Sequence, residues 1–320
     1  MTKISLVVPT YNGQKYILNF LKSIDAQKVQ PDQVIFQDDG SSDDTVQIIK
    51  GFIKMNSKEW VLKINKKNLG WRLNFESLIR QAEGDVIFLA DQDDFWCPDK
   101  IGKMASAFKS TKGIQVLTSN YKSDVSAGKK VSFRKIVYGN KNGNDVVQIE
   151  SIPQNYYIKR PGWTFAISKK IIPQYLDLQS KCPMKAHDTL LWQLALVNGT
   201  LYHFNEVTGI WVMHDNSAMA SESERKLILQ KKKNIFLNYC EGEISSNKFY
   251  LEVAISVKYD QQKIVLYIKK RIIIFEKRRR LWLEPSLKNF FKCLPAYLSL
   301  WDCLADLKFL MCSVISRWHS

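Results

Sequence analysis

The 320-residue chain is short of the features that mark several protein classes. Nine prolines and 14 glycines are too few for a fibrous or low-complexity chain. Its six cysteines form no CxxC pair, so reduced, mostly buried thiols are expected rather than a disulfide framework or a zinc site. Spanning a membrane takes about 20 mostly apolar residues. The apolar stretch from Phe290 to Ile315 is broken by Lys292, Pro295, Asp302, Asp306 and Lys308, so no spanning helix is expected. The opening MTKISLVVPTYNG lacks the basic-then-apolar run and cleavage site of a secretory signal. There is no internal repeat, and neither GxGxxG nor GxxxxGK[ST] occurs, so dinucleotide and P-loop chemistry have no phosphate cradle. Acids are also in deficit, 31 against 47 bases, a net charge of +16. That surplus suits an anionic partner: nucleic acid, an anionic membrane or a phosphorylated ligand.

What is present is a chain 45% apolar, long enough for one or two domains with a sizeable core. Short apolar runs alternate with helical periods through the first 120 residues. Strands are expected at Ile4–Val8, Val34–Phe36, Trp60–Ile64, Val86–Ala90 and Ile114–Leu117. Helices are expected between them, one carrying Ile17, Leu21 and Ile24 on a face, others carrying Phe75, Leu78 and Ile79, or Ile101, Met104 and Phe108. This rhythm predicts an α/β fold with a doubly wound, mostly parallel sheet. Residues 121–160 read as irregular loops on the substrate side. Further strands are expected at Trp163–Ser168, Thr200–Phe204 and Val207–Met213, with a helix over Asp188–Val197.

In such a sheet ligands bind beyond the carboxyl ends of the strands. Three polar clusters fall there: Pro9-Thr10-Tyr11-Asn12-Gly13, Asp38-Asp39-Gly40-Ser41-Ser42 and Asp91-Gln92-Asp93-Asp94. Carboxylates packed this closely repel unless a cation neutralises them, and hard oxygen ligands suit Mg²⁺ or Mn²⁺. Read as a solvated acidic turn, the third cluster would leave the other two unexplained. Asp39 could accept an N–H from a pyrimidine base on which Tyr11 stacks; either residue could instead serve as a cap or a core contact. Asp188, opening a helix, could take a proton from a hydroxyl or simply cap that helix.

Together with His187-Asp188, these motifs resemble the inverting family-2 glycosyltransferases of the GT-A fold. The stretch Asn68-Leu69-Gly70, Asn74-Phe75-Glu76, Leu89 to Trp96 and Pro98-Asp99-Lys100 is similar to a bacterial rhamnosyltransferase-like branch that builds cell-surface polysaccharide. The resemblance covers roughly residues 3–215. It implies that Thr10, Tyr11 and Asp39 hold the base, with Pro9, Asn12, Asn68 and Gly70 also on the nucleotide side. Asp91 would approach the ribose, Asp93 would bind Mn²⁺ or Mg²⁺ at the diphosphate, and Asp188 would deprotonate the acceptor. His214, within Val212-Met213-His214-Asp215-Asn216, would contact the metal or diphosphate. Gly162, Trp163, Thr164 and His187 would lie on the acceptor side, Trp163 standing where the family often has a small or sulfur residue. Gln37 departs from the family pattern and is expected to matter little. The implied donor is dTDP-rhamnose, with a UDP-sugar as alternative, and the implied acceptor a lipid-linked or polysaccharide glycan.

The resemblance stops before the last third. Residues 222–320 hold 19 basic and 10 acidic side chains, nine of the sixteen surplus positive charges, within amphipathic helical periods. Residues 1–220 are therefore expected to form the catalytic domain and 221–320 a basic helical region. That region would dock on an anionic membrane surface, with Tyr297, Leu298, Leu300, Trp301, Leu304, Phe309 and Trp318 as anchors, or form a homodimer. The protein is expected to be cytoplasmic, peripheral on the inner face of the cell membrane. No nucleic-acid signature accompanies the basic runs, so no nucleic-acid partner is expected. A glycosidase would leave the nucleotide-side motifs idle, and an inactive sugar-nucleotide-binding module would have no need of Asp93 and Asp188.

Overall fold

Runs of β-branched and aromatic residues build the centre of the first unit, and the most buried of them, Val86–Leu89, is a central strand with apolar side chains on both faces. The computed structural model describes residues 2–124, 146–183, 185–212, 233–256, 262–297 and 299–318. They divide into two units, Met1–Gln179 with Lys185–His214, and Ser180–Met184 with Asp215–Ser320.

In the first unit β1 (Ile4–Thr10), β2 (Gln33–Asp38), β3 (Val61–Ile64) and β4 (Val86–Leu89) are joined by parallel pairings in the order β3-β2-β1-β4. The mixed sheet continues through β8 (Ala166–Ser168), β6 (Val116–Asp124), β9 (Leu201–Val212) and β5 (Phe95–Trp96), with β7 (Val146–Gln148) also on β9. β8 runs antiparallel to both neighbours, whereas β6 and β9 are parallel. The helices are α1 (Ile17–Asp25), α2 (Thr45–Met55), α3 (Trp71–Gln81), α4 (Lys100–Ser110), α5 (Ile172–Lys181) and α6 (His187–Val197). Each buries its apolar stripe, as Ile17, Phe20, Leu21 and Ile24 of α1 do.

The α/β expectation holds, with local differences. Gly162–Thr164 is a 3₁₀ turn, and only Ala166–Ser168 of the expected Trp163–Ser168 strand pairs. The two strands expected over 200–213 are one, because register shifts opposite Ser119–Lys122 let β9 bend and continue. β6 runs on to Asp124, into the segment read as loop.

The second unit contains α7 (Lys233–Ser256), α8 (Gln262–Leu283), α9 (Leu287–Cys293) and α10 (Leu300–Trp318). Trp282 is stacked between Phe236 and Phe309, with ring centroids 3.9 and 3.7 Å away. Beside it Asp306, fully buried, accepts from Arg278 Nε at 2.8 Å and Nη2 at 3.1 Å, from Trp282 Nε1 at 2.9 Å and from the Tyr297 hydroxyl at 2.6 Å. Arg271 pairs with Glu243 at 2.5 Å, and both are buried. The basic runs are thus partly internal: Arg271 and Arg278 hold helices together, and Tyr297 and Phe309 pack inward rather than serving as surface anchors. Leu298 and the side chain of Trp318 lie outside the described residues. Among the described residues no helix is long and apolar enough to cross a membrane. Among the described residues Cys97, Cys182, Cys240, Cys293 and Cys303 form no disulfide.

Removing one member of a buried ion pair strands the other. Asp306→Ala should therefore destabilise the chain by about 3–5 kcal/mol in urea unfolding followed by far-UV circular dichroism. Asp302→Ala, whose carboxylate is half in solvent while bonded to Arg278, should cost under about 1 kcal/mol.

Candidate active site

Because β1 pairs with both β2 and β4, the carboxyl ends of the three strands are adjacent, and their loops are tied together. Gln92 accepts from the Tyr11 backbone N–H at 3.0 Å and donates to the Tyr11 carbonyl at 2.9 Å. The Asn12 N–H donates to Ser41 Oγ at 2.9 Å, and the Ser42 N–H returns a bond to Asn12 Oδ1 at 2.9 Å. A Cβ at Gly13 would stand 2.2 Å from Gln92 Oε1, so a side chain there would displace the Gln92 amide from its place beside Tyr11.

Asp38 and Asp39 have different tasks. Asp38 is fully buried and accepts from Thr10 Oγ1, Ser41 Oγ and the N–H groups of Gly40 and Ser41, which shapes the loop after β2. Asp39 accepts from Leu69 N–H, Gly70 N–H and Asn65 Nδ2, each at 2.8 Å. That draws the Asn68–Gly70 segment to the sheet edge, with Asn68 donating to the Asp39 carbonyl at 3.1 Å. Neither acid caps a helix. Gln37, expected to matter little, is buried and bonded to Asn65, Ser77 and Gln81, a polar hub beneath this segment.

The cluster after β4 splits in two. Asp94 is buried, accepts from the Val212 N–H at 3.2 Å and faces the charge of Lys100. Lys100, also buried, sits over the rings of Trp96 and Trp163 and donates to the Trp163 carbonyl and Thr208 Oγ1. Loss of hydration lowers its ammonium to about 7. Asp94 therefore belongs to the framework. Asp91 and Asp93 are half-buried. Burial first, then the charges of Asp93 and Asp188, push Asp91 up to about 8.

Asp188 is thus within electrostatic reach of Asp91, although 97 residues separate them in sequence. It lies in the first turn of α6, whose N-cap is Ala186, so it is not the cap. Its Oδ1 accepts from the Thr189 N–H at 2.6 Å, and burial raises it to about 6. α3 positions the next groups. Phe75 stacks on His187 with centroids 3.8 Å apart, Trp71 meets it edge-on, and the Arg72 charge acts on both His187 and Asp188. Arg72, Gln92 and Lys100 are the site-region residues that sequence reasoning assigned no role. Only their place inside or beside the motifs could have flagged them.

The remaining expected site residues are distributed as follows. Tyr11, Asn12 and Asn68 are exposed, and Pro9 and Gly70 are partly so. Thr10 is buried with its hydroxyl on Asp38. Trp163 and Thr164 are buried, Trp163 within the core, so any influence on an acceptor passes through what they support. Gly162 touches His187, where a Cβ would lie 2.7 Å from Nε2. His214 lies outside the described residues.

The donor set fits a hard divalent cation. Asp91 and Asp93 are adjacent carboxylates whose mutual repulsion such an ion would relieve. Among the described residues no group of three or more His, Cys, Asp or Glu is placed to hold a metal. The coordination sphere would then draw on substrate phosphate and water, as Mg²⁺ and Mn²⁺ commonly do.

A family model described as Glycosyl transferase family 2 matches residues 5–165, half of the chain. Poly(ribitol-phosphate) β-N-acetylglucosaminyltransferase TarS of Staphylococcus aureus is 36% identical over 111 residues, which are 34% of this chain and 19% of TarS. This chain thus matches a small part of that relative. The crystal structure of S. aureus TarS 1-349 in complex with UDP-GlcNAc superimposes with a TM-score of 0.52 at 18% identity, covering 90% of this chain and 83% of that one. A Pyrobaculum calidifontis mannosyltransferase in complex with GDP-Man and Mn²⁺ gives 0.51 at 11% identity, covering 99% and 87%. At these identities the structural likeness establishes the shared fold.

The aromatic slot makes a prediction of its own. Burial holds the His187 ring down at about 3, so it should be neutral across the physiological range. With four histidines in the chain, the His187 Cε1–H resonance can be assigned by substitution and should not move between pH 5 and 8. A titration near 6.5 would show that the ring is solvated.

Proposed function

The chain belongs to glycosyl transferase family 2, and we propose that it is an inverting transferase that moves a sugar from a pyrimidine nucleoside diphosphate to a hydroxyl of a cell-surface glycan acceptor. The observation that carries this reading is the convergence of Asp91, Asp93 and Asp188 at one sheet edge, next to an exposed aromatic ring.

In this reading residues 1–220 are the catalytic domain. Tyr11 stacks on the base, and Asp39, with three of its acceptor positions committed internally, offers a remaining Oδ2 lone pair to a base N–H. Pro9, Thr10 and Asn12 shape the cradle below, and Asn68 and Gly70 form its rim. Asp91 faces the ribose. Asp93, helped by Asp91, would hold Mn²⁺ or Mg²⁺ with the donor diphosphate, and His214 would complete that side. Bound there, the ion would stabilise the charge that develops as the diphosphate leaves.

Asp188 takes the proton from the acceptor hydroxyl as that oxygen attacks the anomeric carbon opposite the diphosphate. One displacement inverts the centre, so no enzyme nucleophile is required. Arg72 favours the charged form of Asp188, and burial opposes it. Gly162, Trp163, Thr164 and His187 support the acceptor wall from behind.

Crystal structures of TarS are complexes with UDP and with UDP-GlcNAc, which supports a UDP-sugar donor. dTDP-rhamnose is the second reading, favoured by the Leu89–Trp96 and Asn68–Gly70 motifs. Residues 221–320 would dock the enzyme on the anionic inner face of the cell membrane, where a lipid-linked acceptor is presented. The net positive charge of that region supports this placement.

Asp188→Asn should lower kcat by about 10²–10⁴-fold with little change in donor Kd. Asp93→Asn should weaken both metal-dependent nucleotide binding and turnover. Asp188 must be ionised to act and is raised to about 6, so activity should be full above that pH. It should fall about tenfold per pH unit below it, and Asp188→Asn should lose this limb. Unchanged turnover in Asp188→Asn would remove Asp188 as the base.

A further inference from the structure

Most of the second unit's arginines are already engaged. Arg271, Arg278 and Arg279 bond to Glu243, to Asp302 and Asp306, and to Glu241, and Arg280 lies 3.8 Å from Glu284. Lys288 and Lys292 differ: both are exposed on α9, and neither has an acidic partner within 4.0 Å among the described residues. They line a cleft of about 440 Å³ at the corner between α8 and α9, together with Arg280, Leu283, Glu284 and Asn289. Three cations face one carboxylate across it.

The same helix is apolar beside its lysines. Leu287 and Phe291 are one turn apart and 62% and 60% exposed, and Leu294 follows on the same side at 41%. Lys288 and Lys292 form the adjoining stripe, while Asn289, Phe290 and Cys293 are buried on the opposite side. No acidic residue occurs in α9. The outward surface therefore has two bands, one of apolar side chains and one of cations beside an open, cation-lined cleft.

We propose that this cleft seats the phosphate of an anionic phospholipid while Leu287, Phe291 and Leu294 enter the interfacial layer. This rests on the membrane-docking reading above and names the surface that performs it. Charge selects the occupant. A two-fold contact with a second copy would bring Lys288 and Lys292 of both chains together, with Glu284 as the one acid of the cleft, already beside Arg280, to offset them. A bilayer of acidic phospholipid presents phosphates next to hydrocarbon, which matches both bands.

The test is co-sedimentation of the full chain with phosphatidylcholine vesicles, with and without phosphatidylglycerol. The wild type should sediment with the mixed vesicles at low salt and much less with phosphatidylcholine alone. Lys288→Gln with Lys292→Gln should weaken binding about 30-fold, the worth of two interfacial cations. Leu287→Ser with Phe291→Ser should leave a residual binding that moderate salt abolishes. All four side chains are exposed, so unchanged melting temperatures will show that the variants fold. Wild-type sedimentation that the lysine pair does not alter would overturn the assignment of this cleft and leave membrane docking standing. Failure of the wild type to sediment would overturn both. A dimer in solution that Leu287→Ser with Phe291→Ser dissociates would give the face to a second copy instead.

Discussion

Asp91 is held beside Asp93 and within the field of Asp188, and burial removes much of the water that would screen them. A fold gains no stability from this arrangement, since the charges of Asp93 and Asp188 add to the cost of ionising the buried Asp91. The surrounding structure has to impose it. Parallel pairing of β1 with β2 and β4 brings the loops to one edge, and the buried Asp38 and Asp94 anchor two of those loops through hydrogen bonds of their own. Arg72 offsets part of this charge at Asp188, and in the proposed function a divalent cation would offset the rest when a diphosphate donor binds.

The same division between framework and site recurs across the molecule. Asp38 shapes a loop while Asp39 ties in a second segment and keeps one lone pair available. Lys100 sits between two tryptophans beneath the site, whereas Arg72 acts directly on the field at Asp188. In the second unit Arg278 is a buried tie and Lys288 an exposed cation. Neighbouring residues of one chemical type are thus assigned opposite tasks by partners far away in sequence.

This explains how much the sequence discloses. Strands buried on both faces, such as Val86–Leu89, read directly as apolar runs, and the polar clusters at their carboxyl ends follow from the parallel topology. β9 does not read as one strand because Asn205-Glu206 interrupts its pattern, and only the register shifts against β6 allow it to continue. The three acids after β4 look alike until Val212 and Lys100, which single out Asp94, are in place. Trp163 reads as an acceptor-side residue, yet packing against Tyr121 and Lys100 buries it in the core. The basic run at 277–280 reads as part of a membrane-docking surface because Asp306, the buried partner of Arg278, lies 28 residues away.

The proposed function requires the carboxylates of Asp91, Asp93 and Asp188 to form a metal-assisted site for a nucleoside diphosphate. Thermal unfolding of the full chain against UDP and TDP, with and without Mn²⁺, tests it most directly. Ligand at about 100 times its dissociation constant should add roughly 2.7 kcal/mol of stability. The expected shift needs both nucleotide and metal and is lost in Asp93→Asn, with the larger response identifying the base of the donor. Stabilisation by neither nucleotide, or a shift indifferent to metal and to Asp93, would contradict it.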